Sequence, residues 1–168
     1  MQLSDADIRV WMMDGKLAIE GFREENLTPN GYDLTVAELV LPDADTSKKK
    51  GSLEIPPKTR FLVSTGEAVR LGPRVAGDLW LRTTWARQGV LPSFGKVDAG
   101  FEGTLTLSAF NASEGPLTIT VGDTFAQITF HEVRTRPDAT YPESSGTYQG
   151  QSGVTRARSG DQRQSEPE

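Results

Sequence analysis

The chain has 168 residues, a net charge of −5, one histidine and no cysteine. That length suits one domain with one core and a short tail. The acidic balance argues against a nucleic-acid surface, and the lack of cysteine excludes disulfides and thiolate ligands. The single histidine, His131, cannot build the His/Cys/Cys site with which zinc deaminases activate water. No run approaches the ~18 apolar residues of a membrane span, and the polar, acidic start MQLSDADIR is unlike a signal peptide. The cytosol is the expected location.

Ser4 followed by Asp7 reads as a helix start, with Ile8, Trp11 and Met12 on one face and Gly15 as the stop. Lys16–Glu20 is a short strand, and Pro29-Asn30-Gly31 is a turn. Tyr32–Leu41 alternates as a half-buried strand should, with Asp33 inside it as a structural anchor. Asp43–Gly51, which holds three consecutive lysines, reads as a solvated loop. Leu53–Ile55, Arg60–Ser64 and Glu67–Leu71 are further strands, the last two separated at Gly66. Val75–Leu81, Thr104–Phe110, Leu117–Val121 and Phe125–Val133 complete the set, with Leu105, Leu107 and Ala109 on one face and Thr106 and Ser108 on the other. His131 reads as an ordinary strand-face residue. Many short strands, 17 glycines and 10 prolines predict an all-β fold, a distorted jelly roll or β-barrel with a short N-terminal helix. The β domain is expected over residues 1–140, with a flexible C-terminal arm over 141–168. Its end, Asp161–Glu168, is expected to be disordered.

The stretch Leu81–Gly103 carries the chemistry. Arg82, Thr83, Thr84 and Arg87 place two forked cationic donors and two hydroxyls within six residues, a pattern suited to polyphosphate. Asp98 follows 11 residues after Arg87, before a turn bounded by Gly100 and Gly103. A carboxylate held there can orient or deprotonate a water. Either half alone reads as an ordinary surface turn; together they point to nucleotide chemistry.

The same run resembles the R-S-S-x-A-R and x-I-D-x-G-W/F-x-G motifs of the dCTP deaminase and dUTPase superfamily. Pro29–Leu34, Gly122–Gln127 and Tyr148–Gln151 fit further motifs of that superfamily in the same order. The resemblance implies a homotrimer with active sites shared between subunits. It assigns Arg82, Thr83, Thr84, Arg87 and Gln127 to the triphosphate, and Thr106, Leu107 and Ser108 to the substrate segment. Asp98 falls to the deoxyribose and the attacking water, and Tyr148 and Gln151 to the closing arm. Trp85 stands where the family usually has a smaller aliphatic residue, so the local packing is expected to differ. Mg²⁺ is expected to be bound mainly through the substrate triphosphate.

Deaminases of the family carry a glutamate that shuttles protons at C4 of cytosine; this chain has Ser108 in its place. A serine hydroxyl does not titrate near neutrality and cannot replace that carboxylate. Asp98 is retained, so the resemblance implies a dUTP diphosphatase, similar to archaeal-type dUTPases. A zinc-independent dCTP deaminase is the alternative, since YQGQSGVTRARSG looks like the deaminase arm, and a non-catalytic nucleotide binder is the third reading.

Overall fold

The computed structural model describes residues 1–158; the expectation for Asp161–Glu168 lies outside them. Helix α1 (Asp5–Met13) begins where Ser4 Oγ accepts from the Asp7 amide and the Asp7 carboxylate accepts in return from the Ser4 amide. Those bonds hold the Asp7 carboxyl below its usual range. Ile8 is buried, Trp11 and Met12 pack against the core, and Gly15 turns the chain at φ +69°.

The strands follow as β1 (Leu17–Glu20), β2 (Leu27–Thr28), β3 (Gly31–Leu41), β4 (Thr46–Lys48), β5 (Ser52–Ile55), β6 (Thr59–Leu71) and β7 (Val75–Leu81). After a short helix, α2 (Thr83–Arg87), come β8 (Val90–Ser93), β9 (Lys96–Val97), β10 (Glu102–Asn111), β11 (Leu117–Thr120) and β12 (Thr124–Glu132). A one-turn helix, α3 (Tyr141–Ser144), begins the C-terminal segment.

Ten strands form one curled sheet whose main path runs β8-β10-β6-β3-β12-β7-β9, with β1, β2 and β4 attached at its flanks. β11 and β5 pair as a separate ribbon. The pairings are antiparallel, and the sheet curls into a half-barrel around Tyr32, Phe61, Phe125 and Phe130, so the all-β expectation holds. Register shifts in β3, β10 and β12 add local bend, as extra residues in a ladder do. Among the described residues no helix is long and apolar enough to cross a membrane.

Three local expectations need correction. β3 is not half-buried: it runs between β6 and β12, and its first six residues are buried on both faces. Arg60–Ser64 and Glu67–Leu71 are one strand, because Gly66 serves a close approach rather than a break. A Cβ there would meet Thr35 Oγ1 at 2.6 Å. The lysine-bearing stretch is not all loop, since Thr46–Lys48 pairs with the end of β3.

That crossing of β3 and β6 also buries an acid. Glu67 is 2% exposed, and its two oxygens accept from the amide and the hydroxyl of Thr35, each at 2.9 Å. Burial pushes its carboxyl above the usual range despite those bonds.

Candidate active site

β7 ends by delivering Arg82 into the first turn of α2. Trp85 anchors that helix: its ring lies 5.8 Å from Phe125, and its indole N–H donates to the Thr124 carbonyl at 2.9 Å. The large aromatic is therefore accommodated between the helix and β12. With Trp85 turned inward, Thr83, Thr84 and Arg87 lie on the outer side of the helix.

Arg82 does not stand free. Its guanidinium pairs with the Asp33 carboxylate and donates to Thr124 Oγ1. Asp33 also accepts from Gln127 Nε2 at 3.1 Å. Three of the five sequence motifs thus meet in one hydrogen-bonded cluster across β3, β12 and the start of α2. Sequence reasoning named Arg82 and Gln127 as phosphate contacts and Asp33 as an anchor. The structure joins them, with Asp33 the shared acceptor.

Asp98 follows β9 at the start of the Gly100 turn, about half exposed, with its carboxylate 3.0 Å from Lys96 Nζ. The arm is rooted beside it: the Tyr141 amide donates to the Ala99 carbonyl at 2.8 Å, and the Tyr141 ring packs edge-on against Phe101. Thr140 and Glu143 form a reciprocal cap that starts α3 and holds the Glu143 carboxyl below its usual range.

From there the arm folds back along β10. Gln151 makes a parallel bridge with Gly103, Thr104 N donates to the Gln151 carbonyl at 3.0 Å, and Thr155 N donates to Thr106 Oγ1 at 3.0 Å. Gly103 permits this seat, because a Cβ there would meet the Gln151 backbone at 2.8 Å. Glu38 on β3 holds the arm from the other side, accepting from Val154 N at 3.0 Å and from Ser47 Oγ at 2.9 Å.

Between arm and sheet lies a cavity of about 620 Å³, lined by Arg60, Thr106, Ser108, Tyr148, Gln151 and Arg156 among others. That is the size range of small-ligand sites. Thr106 and Ser108 face it because β10 turns Leu105, Leu107 and Ala109 into the core. Leu107 is only 2% exposed, so it can offer a ligand its backbone but not its side chain. Arg60 and Leu62 of β6 share the outer face with Phe110 and Ser108, to which they are directly paired.

Among the described residues, the one acid lining the cavity is Asp43, whose carboxylate is 75% exposed and lies 3.4 Å from Arg60. Glu102 is six residues from Ser108 along one extended strand, roughly 20 Å away at the usual rise. Thr83, Thr84, Arg87 and Asp98 do not line this cavity within one protomer. Sequence reasoning missed Arg60, which sits in none of the recognisable motifs.

The family model for dCTP deaminase-like proteins matches residues 40–133. The dCTP deaminase of Pyrococcus horikoshii is 40% identical over 142 residues, covering 83% of this chain and 89% of that protein. A protein of Sulfolobus islandicus rod-shaped virus 1, named "Probable deoxyuridine 5'-triphosphate nucleotidohydrolase", is 33% identical over 160 residues, covering 94% of this chain and 99% of that one. In fold, the chain is similar to the 2'-deoxycytidine 5'-triphosphate deaminase of Agrobacterium tumefaciens, with a TM-score of 0.65 at 18% identity over 79% of this chain and 46% of that chain. It is also similar in fold to the EIAV dUTPase, with a TM-score of 0.54 at 20% identity over 76% of this chain and 98% of that chain. With a family model over more than half its length and relatives at this identity over most of it, the chain belongs to the dCTP deaminase-like family of nucleotide-metabolising enzymes.

Proposed function

We propose that the protein is a dUTP diphosphatase, converting dUTP and water to dUMP and pyrophosphate. The observation that carries this reading is the cavity wall at Ser108. It has a hydroxyl where deamination needs a titrating carboxylate and, among the described residues, no buried acid beside it. Asp43 is exposed and paired with Arg60, both oxygens of Glu38 are already bonded, and Glu102 lies far along the strand. Exchange of an amino group at C4 of cytosine requires a group that gives and takes protons at the ring, and none of the described residues of the same protomer is placed to do so.

Hydrolysis asks less of this wall. Asp98 takes a proton from water as the water oxygen bonds to the α-phosphorus; the bond from that phosphorus to the bridging oxygen breaks, and pyrophosphate leaves. Thr83, Thr84 and Arg87, on the outer side of α2, and Arg82, held by Asp33, contact the phosphates and steady the charge that develops on them. Gln127 keeps Asp33 in place. Mg²⁺ enters as part of the substrate, on the triphosphate oxygens.

Because Asp98 and α2 do not line the cavity of their own protomer, the complete site draws on more than one copy, and a homotrimer is the assembly we propose. Trp80 on β7, Leu91 on β8 and Phe110 on β10 are 59%, 57% and 36% exposed, apolar surface suited to burial against another copy. Tyr148 and Gln151 then close over the nucleotide, and the cytosol is the compartment this reaction serves.

The second reading, a zinc-independent dCTP deaminase, is favoured by the names of the Pyrococcus and Thermococcus relatives. One experiment separates the two: incubate the protein with Mg²⁺ and either dUTP or dCTP and resolve the products. Pyrophosphate and dUMP from dUTP are expected. Formation of dUTP from dCTP as the main product would overturn the proposal. Asp98→Asn should keep nucleotide binding and lose about 10²–10⁴-fold in turnover, the usual worth of a general base.

A further inference from the structure

We infer that Arg60 selects the base: its guanidinium donates to the C4 carbonyl oxygen of uracil and repels the C4 amino group of cytosine. The inference rests on the proposed function, in which the nucleotide base occupies the cavity above Ser108.

The register places the residue. Ser108 pairs with Leu62 and Phe110 with Arg60, so Arg60 and Ser108 are diagonal neighbours on one face of the sheet. Such diagonal pairs stand about 7–8 Å apart, within the span of an extended arginine side chain. Both residues line the cavity.

The polar inventory of the wall then narrows the choice. Thr106 Oγ1 accepts from Thr155 N and donates to the Gly153 carbonyl. Gln151 Nε2 donates to the Thr104 carbonyl at 2.8 Å, and the Tyr148 hydroxyl accepts from Arg158 N. Among the described residues, Ser108 Oγ has no hydrogen bond in the structure, and Arg60 has only the 3.4 Å contact with Asp43. That pair is exposed on both sides, at 51% and 75%, and a surface ion pair of this kind holds its partners weakly. Arg60 is therefore a donor with capacity to spare, and of the two guanidiniums on this wall it is the one seated on the sheet next to Ser108.

Its chemistry is one-sided. A guanidinium offers five N–H donors and no acceptor. Uracil presents a carbonyl at C4 and accepts; cytosine presents an amino group there, and donor would face donor. Ser108 can donate or accept and so discriminates little by itself. Arg156, the other guanidinium on the wall, is carried by the arm beyond Thr155 and lies 3.7 Å from the exposed Asp45, so it does not share Arg60's seat on the sheet beside Ser108.

The test compares kcat/KM for pyrophosphate release from dUTP and from dCTP in the wild type, Arg60→Met and Arg156→Met. The Arg60 side chain is half exposed, so the methionine variant keeps the fold, which a melting curve verifies. Arg60→Met should lose about 10- to 100-fold on dUTP, the worth of one charge-assisted hydrogen bond, with dCTP nearly unchanged, so the preference collapses. Arg156→Met should lower both substrates by the same factor. If the wild type hydrolyses dUTP but Arg60→Met keeps its preference, or falls equally on both nucleotides, base selection by Arg60 is wrong and the hydrolase reading stands. If the wild type yields dUTP from dCTP and no pyrophosphate from dUTP, both are wrong.

Discussion

Replacing Asp33 by asparagine tests whether the buried carboxylate is what aims Arg82. The Asp33 side chain is 10% exposed, and both of its oxygens accept, one from Arg82 and one from Gln127. Asparagine keeps the shape but offers one acceptor and one donor group. Gln127 can turn its amide to accept from the new NH₂, leaving the remaining amide oxygen of the variant for Arg82, so the geometry survives and the loss is mainly that of charge. A hydrogen bond to a charged group is worth about 1.5–3 kcal/mol in such settings. Arg82 is 35% exposed and recovers part of that from water, so a loss of about 1–2 kcal/mol is expected. Asp33→Ala removes both acceptors, strands Gln127 and should cost about 3 kcal/mol. Urea unfolding at fixed protein concentration reads both, as a lower midpoint with an unchanged slope. In an Arg82→Ala background the same Asp33→Ala change should cost at least about 1 kcal/mol less, because its partner is gone. Strict additivity of the two alanine changes, or an Asp33→Asn variant within about 0.5 kcal/mol of wild type, would refute the pair as the element that positions Arg82.

The remaining expectations concern the arm and the buried acid. Ending the chain after Gly146 keeps α3 and its packing on Phe101, so thermal stability should fall little, by about 1–2 kcal/mol, while turnover on dUTP falls steeply. Full activity of the shortened chain would show that the arm takes no part in catalysis. Glu67 has a folded-state pKa above its usual 4.5, so between those two values the folded protein holds the proton that the unfolded chain has lost. Stability therefore declines as pH rises through that window, by about 1.4 kcal/mol for each unit of the rise in pKa, and the loss then stays constant at higher pH. Glu67→Gln should remove this slope; denaturation curves at pH 4.5 and 7 that give the same wild-type minus variant difference would contradict it.

Much of the architecture was legible because local patterns are short-ranged. Ser4 and Asp7 announce the first helix, and the alternation of Leu105, Leu107 and Ala109 with Thr106 and Ser108 fixes which residues of β10 face the core. Ordered motifs pointed to Arg82, Asp98 and Gln127. Contacts between residues distant in sequence were not legible. Asp33 and Arg82 are 49 positions apart, and nothing near either one names its partner. Gly66 looked like a strand end because the residue it makes room for, Thr35, lies on another strand. The same blindness hid Glu67, whose burial depends on Thr35 of another strand, and Arg60, whose neighbour Ser108 is set by register. The helix of Thr83–Arg87 went unread because five residues carry no periodicity; Trp85, inward on Phe125, supplies its stability from outside.

The rooted arm has a consequence for how closure responds to concentration. Tyr141 and the Thr140–Glu143 cap tie the segment down next to Ala99, so of the described residues those from 145 to 158 can detach, on a tether no longer than roughly 50 Å when fully extended. A tether that short keeps the docking strand near β10 at an effective concentration in the millimolar range. Re-docking is thus a first-order event, indifferent to how dilute the protein becomes. A separate peptide with the sequence of residues 147–158 would have to reach millimolar levels before it displaced the arm from Thr104 and Thr106.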